Sequence, residues 1–157
     1  MNSPIKELLK PLPGYKILHV SDRIDTFAHE LLELLEEVGG KLQVVLYENT
    51  NETDGFKIQH VINYNEQFRA LPREHDIVIF YHIFSKHSKQ EQLIKNAYQT
   101  LANAAYIIII EKHGIMELSS LKETLERMEF RAANEIDLIE DHDLVMAKKM
   151  HMWGAGL

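Results

Sequence analysis

Cysteine is absent from the 157 residues, which removes disulfides, thiolate-held zinc, iron–sulfur clusters and thiol nucleophiles. Long apolar runs are missing too. The longest, Ala104 to Ile110, falls far short of the roughly 20 residues that cross a bilayer. No basic and apolar leader pattern opens the chain, so the expected location is the cytoplasm, with no membrane partner. Cations are in deficit: 17 Lys and Arg stand against 24 Asp and Glu, a net charge of −7. The densest cationic clusters, Lys86 to Lys89 and Lys148-Lys149, are short. A nucleic-acid binder needs a basic stripe to displace counterions from phosphates, so no nucleic-acid partner is expected. The acidic runs, around Glu30 to Glu37 and Glu135 to Asp143, read as solvated faces.

Hydrophobic residues make up 45% of the chain and charged residues 26%, the balance of a soluble globular protein. The reading is one domain over residues 1–157: a lead helix and linker to residue 14, a core over 15–151, and a tail over 152–157. Ser3-Pro4 predicts a helix over 4–10, and Pro11 to Gly14 ends it. Tyr15 to Val20 reads as a strand. Asp25 is placed to cap a helix with Phe27, Leu31, Leu34, Leu35 and Val38 inward, stopped at Gly39-Gly40. Leu42 to Glu48 and, more weakly, Phe56 to Ile62 are strands. Asp76 to Tyr81 and Tyr106 to Ile110 are apolar without alternation, as strands covered on both faces are. Between these two strands, Ser88 and Glu91 have the spacing of a capping box at the start of a helix. After them comes a helix carrying Leu118, Leu121, Leu125 and Met128. Two strands close the chain, roughly 131–139 and 143–151, with only Glu140-Asp141-His142 between them. So tight a turn makes that pair antiparallel, whereas the earlier alternation of strands and helices predicts a parallel sheet with helices on both faces.

This order resembles the class I S-adenosylmethionine-dependent methyltransferases, whose Rossmann-type α/β fold is three-layered, with a seven-stranded, mostly parallel sheet ending in an antiparallel hairpin. The resemblance is carried by Leu71-Pro72-Arg73-Glu74-His75-Asp76-Ile77-Val78, which looks like the lead into the family's fourth strand. Tyr81-His82-Ile83-Phe84 looks like that strand's outlet, Ala104-Ala105-Tyr106 to Ile110 like the fifth strand, and Leu144 to Lys149 like the seventh. It covers residues 15–150, without the family's usual Gly-Gly before the fifth strand.

The resemblance implies a cofactor cleft after the first strand, where the family runs into a glycine-rich turn. Here the turn is His19-Val20-Ser21-Asp22-Arg23-Ile24-Asp25-Thr26-Phe27, without a glycine. Glycine lets a backbone approach its ligand closely, and the bulk of Arg23 and Ile24 stands where methionine and ribose would lie. Glu48 matches the family's acidic ribose ligand at the end of the second strand, at the spacing nucleotide-binding folds use. Asn63, Tyr64 and Asn65 follow the third strand, where the family places an adenine contact; Asn63 and Asn65 read equally well as turn residues. The candidate cofactor residues are therefore His19, Ser21, Asp22, Glu48, Asn63, Tyr64 and His82. No catalytic residue is singled out.

Nine histidines prompt a search for a metal site. Only His82 and His87 are close in sequence, and their spacing is not one that helical zinc sites use. No metal is expected, although His19, His82 and His113 all stand at strand outlets and could meet there. A Gly-x-Ser-x-Gly elbow and a phosphate-binding Gly-x-x-x-x-Gly-Lys loop are both lacking. The favoured reading is a methyltransferase-like domain without catalysis, serving as a binding or assembly module for a protein partner or a second copy. The alternatives are an active methyltransferase holding S-adenosylmethionine in a modified pocket, and a degenerate receiver-like domain with a five-stranded parallel sheet. The apolar tail around Trp153 is read as covering the sheet's own core or as a contact patch.

Overall fold

The computed structural model describes residues 4–51 and 53–150. Its elements, in chain order, are α1 (Pro4–Leu8), β1 (Lys16–Ser21), α2 (Thr26–Glu36), β2 (Lys41–Tyr47), β3 (Lys57–Val61) and β4 (His75–Tyr81). A 3-10 turn (Phe84–Lys86) is followed by α3 (Gln90–Thr100), β5 (Leu101–Lys112), α4 (Leu118–Arg127), β6 (Phe130–Glu135) and β7 (His142–Lys149). The Ser3 cap and the tail around Trp153 lie outside the described residues.

All seven strands join one sheet in the order β3-β2-β1-β4-β5-β7-β6. Pairings among β1 to β5 are parallel, and β7 runs antiparallel to both β5 and β6. The two non-alternating strands are thus central, as their composition required. Successive residues serve opposite faces. Val78, Phe80, Ile107 and Ile109 pack with Leu93, Ile94, Leu121 and Leu125 of α3 and α4. Ile77, Ile79, Ile108 and Ile110 pack with Ile5 of α1 and Leu31, Leu34 and Leu35 of α2. Each such aliphatic burial stabilises the fold by about 1.5–3 kcal/mol. A seven-stranded sheet with an antiparallel member overturns the receiver-like alternative.

Three local expectations are corrected. The closing connection spans residues 136–141, because β6 stops at Glu135 and β7 begins at His142; the pair is antiparallel but the turn is not the tight one expected. Helix α1 ends two residues earlier than expected, at Leu8. The capping box does not form: Lys89 is the N-cap of α3 with no side-chain bond. Ser88 instead turns its Oγ toward the Tyr64 carbonyl (3.1 Å) and Asn65 Oδ1 (2.6 Å). With its hydroxyl donating toward that loop, Ser88 makes no capping bond to α3. The Asp25 cap does form, its Oδ1 accepting the Phe27 N–H at 3.1 Å.

No helix covers the crossovers from β2 to β3 or from β3 to β4 among the described residues. Between β3 and β4, residues 62–74 take a helix's place as an irregular strap. Phe68, 2% exposed, plugs the core, and the Gln59 side chain both donates to and accepts from the Arg69 backbone. His87 holds the strap from the other side. Its Nδ1 accepts the Lys89 N–H (2.9 Å), so its proton lies on Nε2, which donates to the Glu66 carbonyl (2.9 Å).

Candidate functional site

Open α/β sheets bind ligands beyond the carboxyl ends of their strands, and here the outlets of β1, β2 and β4 meet. Both Glu48, after β2, and His82, after β4, are left-handed, with φ of 54° and 64°. Each keeps its N–H in the sheet ladder, to Val61 and Ile110 carbonyls respectively, so the chain swerves only after the last ladder bond. The turn after β1 contains no residue of positive φ, which is why it manages without glycine.

A cleft of about 510 Å³ opens between these outlets, lined by Asp22, Tyr47, Glu48, Asn49, Asn51, Tyr64 and Lys86 among others. That size lies within the range of small-molecule sites. Asp22 anchors its inner end. Its carboxylate accepts from Arg23 Nε (2.7 Å) and Nη2 (3.1 Å) and from Lys86 Nζ (2.8 Å), while the Asp22 carbonyl accepts from the Asn49 side chain (3.0 Å). Burial alone would raise the Asp22 pKa, but the bonds from Arg23 and Lys86 hold it at about 2. Tyr64 forms a wall: its ring stacks on Tyr47 with centroids 5.2 Å apart. Burial, then the carboxylates of Asp22 and Glu48, push its hydroxyl up to about 12.

Of the residues singled out in the sequence, Asp22, Glu48 and Tyr64 are brought together on this cleft. Ser21 is fully buried and uses its Oγ to accept the Arg23 N–H. Asn63 makes an Asx turn, accepting the Asn65 N–H at 2.9 Å. His19 is fully buried between Phe27 and Tyr81, with neither ring nitrogen partnered. His82 turns the other way. Its Nε2 lies 2.8 Å from His142 Nε2, and His142 in turn stacks on Tyr81, whose hydroxyl donates to Asp25 Oδ2 (3.2 Å). The three histidines that could have met, His19, His82 and His113, are not joined: His82 pairs with His142, and His113 is exposed and paired with Asp143. Among the described residues no group of three or more His, Asp or Glu could hold a metal, and no helix is long and apolar enough to cross a membrane.

Sequence reasoning missed Lys86, Asn49, Asn51 and Tyr47 as site residues. Lys86 had only a short basic cluster to mark it, and nothing local ties it to Asp22, 64 residues away.

No known family profile matches the chain, and no curated protein matches it in sequence. Solved structures do match. A methyltransferase of Aquifex aeolicus that depends on S-adenosylmethionine (SAM) superposes with a TM-score of 0.74 at 14% identity, covering 94% of this chain and 89% of that one. A putative SAM-dependent methyltransferase of Listeria monocytogenes gives 0.69 at 12% identity, covering 94% and 96%. Phosphoethanolamine N-methyltransferase 2 of Haemonchus contortus gives 0.72 at 12%, covering 94% and 51%. The fold is that of the class I SAM-dependent methyltransferases. Within this methyltransferase-like fold the cleft at Asp22, Glu48 and Tyr64 stands after the first two strands, where the resemblance in sequence placed the cofactor.

Proposed function

We propose that this methyltransferase-like chain works as a ligand-binding module without methyl transfer. The observation that carries the reading is the cluster formed by Asp22 and Arg23, in the turn after β1, with Lys86 from the turn after β4. The ribose half of SAM fits the cleft: Glu48 is an exposed carboxylate at the end of β2, able to accept from a vicinal diol. The methionine half does not fit. Its carboxylate would need backbone N–H groups, but Ser21 Oγ takes the Arg23 N–H and ion-paired side chains fill the turn. One charge-assisted hydrogen bond at Glu48 contributes about 1.5–3 kcal/mol, too little to replace such a cradle. A shared fold does not carry a shared reaction, since activity resides in the site.

Calorimetry with SAM and its demethylated product tests this. The expected dissociation constant is ~1 mM or weaker, about 4 kcal/mol. Micromolar binding that Glu48→Ala abolishes would instead support an active methyltransferase with a modified pocket.

A further inference from the structure

The pole of the sheet opposite the cleft carries positive charge without a counter-charge. Arg73 precedes β4, Tyr98 and Gln99 end α3 before β5, and Lys149 ends the antiparallel β7. All four therefore stand at the amino ends of the parallel strands. Together with Asn103 they line a hollow of about 520 Å³, a size that small molecules occupy. Lys149 is 6% exposed. Its Nζ donates to the Tyr98 and Leu101 carbonyls, both at 2.7 Å, and lies 4.4 Å from the centroid of the Tyr98 ring. Burial, then the like charge of Arg73, lowers its pKa. Among the described residues no ion pair includes Lys149 or Arg73, and neither Glu74 nor Glu129 lines the hollow.

Buried charges are ordinarily paired. The two carbonyls account for part of the compensation, since they belong to the carboxyl end of α3, whose dipole is worth about half a negative charge. Against it stand two full cations, so a surplus of roughly one and a half positive charges remains. Arg73 is fixed at the rim by its backbone: it is left-handed, with φ of 52°, and its N–H donates to the Gln99 carbonyl at 2.9 Å. Its guanidinium can present two parallel donors to one oxyanion, and Lys149 adds a point charge behind them. The side-chain amides of Gln99 and Asn103 supply neutral donors and acceptors in the same space.

We infer that this hollow binds a small molecule through a carboxylate or phosphate group seated between Arg73 and Lys149. The site shares no residue with the cleft at Asp22, Glu48 and Tyr64, so it stands or falls apart from any ligand held there. Inorganic phosphate and acetate are the probes, titrated into the full chain at constant ionic strength so that screening stays fixed. Amide NMR should show saturable shifts at Arg73, Gln99 and Lys149 with at least one probe, and the tighter of the two names the ligand's acidic group. Lys149→Gln strips two buried carbonyls of their donor and endangers the fold, so the deciding variant is Arg73→Gln, at an exposed side chain. It should weaken the tighter probe about ten-fold or more. Lys95→Gln, the same loss of charge at an exposed position of α3, should change it less than about two-fold. Saturable shifts with neither probe, shifts confined to the opposite pole, or equal losses in Arg73→Gln and Lys95→Gln would overturn the inference.

Discussion

His82 Nε2 and His142 Nε2 lie 2.8 Å apart, joining the outlet of β4 to the first residue of β7. The direction of the bond follows from its surroundings. His142 Nδ1 lies 2.8 Å from the Glu140 carbonyl, an acceptor only, so the proton of neutral His142 is on Nδ1 and its Nε2 carries a lone pair. His82 is therefore the donor. Burial, then the Arg23 charge and His142, hold the His82 pKa at about 4. Replacing His142 with Ala leaves a buried N–H without an acceptor, which costs about 1–3 kcal/mol. Urea unfolding should show that loss for His142→Ala. A double-mutant cycle with His82→Ala should show coupling, and additive losses would mean the pair contributes nothing as a pair.

His19 should be more useful to the protein as a hydrocarbon. It is fully buried, both nitrogens lack partners, and burial, opposed weakly by Asp25, lowers its pKa to about 4. His19→Leu should raise stability by about 1–3 kcal/mol, because it removes two unsatisfied polar atoms from an apolar site. The pH dependence gives an independent reading. A histidine whose folded pKa lies below its unfolded value of ~6.5 contributes stability above that pH. The contribution fades as pH falls toward about 4, since the unfolded chain takes up the proton first. The wild-type protein should lose stability between those limits through His19 and His82, and His19→Leu should flatten the slope. A slope unchanged in the variant would show that His19 does not titrate there.

Gly40 should resist replacement more than its neighbour. A Cβ on Gly40 would collide with the Tyr15 carbonyl oxygen and stand 2.8 Å from Leu35 Cδ2. The carbonyl cannot move freely, because it accepts the Lys41 N–H at 2.8 Å where β2 begins. Gly40→Ala should therefore cost about 1–3 kcal/mol by overpacking. At Gly39, with φ of 65° and open space around it, alanine should cost only the ~1–2 kcal/mol of a left-handed residue. Thermal melts of both variants check the ranking, and an equal shift would show that the Gly40 collision relaxes away.

The elements legible in the sequence were those that repeat or run locally. Asp76 to Tyr81 and Tyr106 to Ile110 contain no polar alternation, and that pattern alone marked them as central. Leu31, Leu34 and Leu35 recur at helical spacing, and Asp25 caps that helix as its type and place required. The Ser88 box failed because a capping signature specifies only what a side chain can do, and the Tyr64–Asn65 strap offered Ser88 nearer partners.

The sequence by itself determined the class of fold and the missing glycine turn, because hydrophobic period, crossover length and residue type are properties of neighbours along the chain. Glu48 could be marked as well, since the end of a strand is a local position. Only the tertiary structure decided that Lys86 reaches Asp22, that His142 rather than His113 meets His82, and that His19 is sealed without a partner. Each of these is a relation between strand outlets, with 64 residues separating Lys86 from Asp22 and 60 separating His142 from His82. A parallel sheet brings such outlets together through register and strand order. No pattern within either segment encodes which of several histidines or lysines will stand opposite.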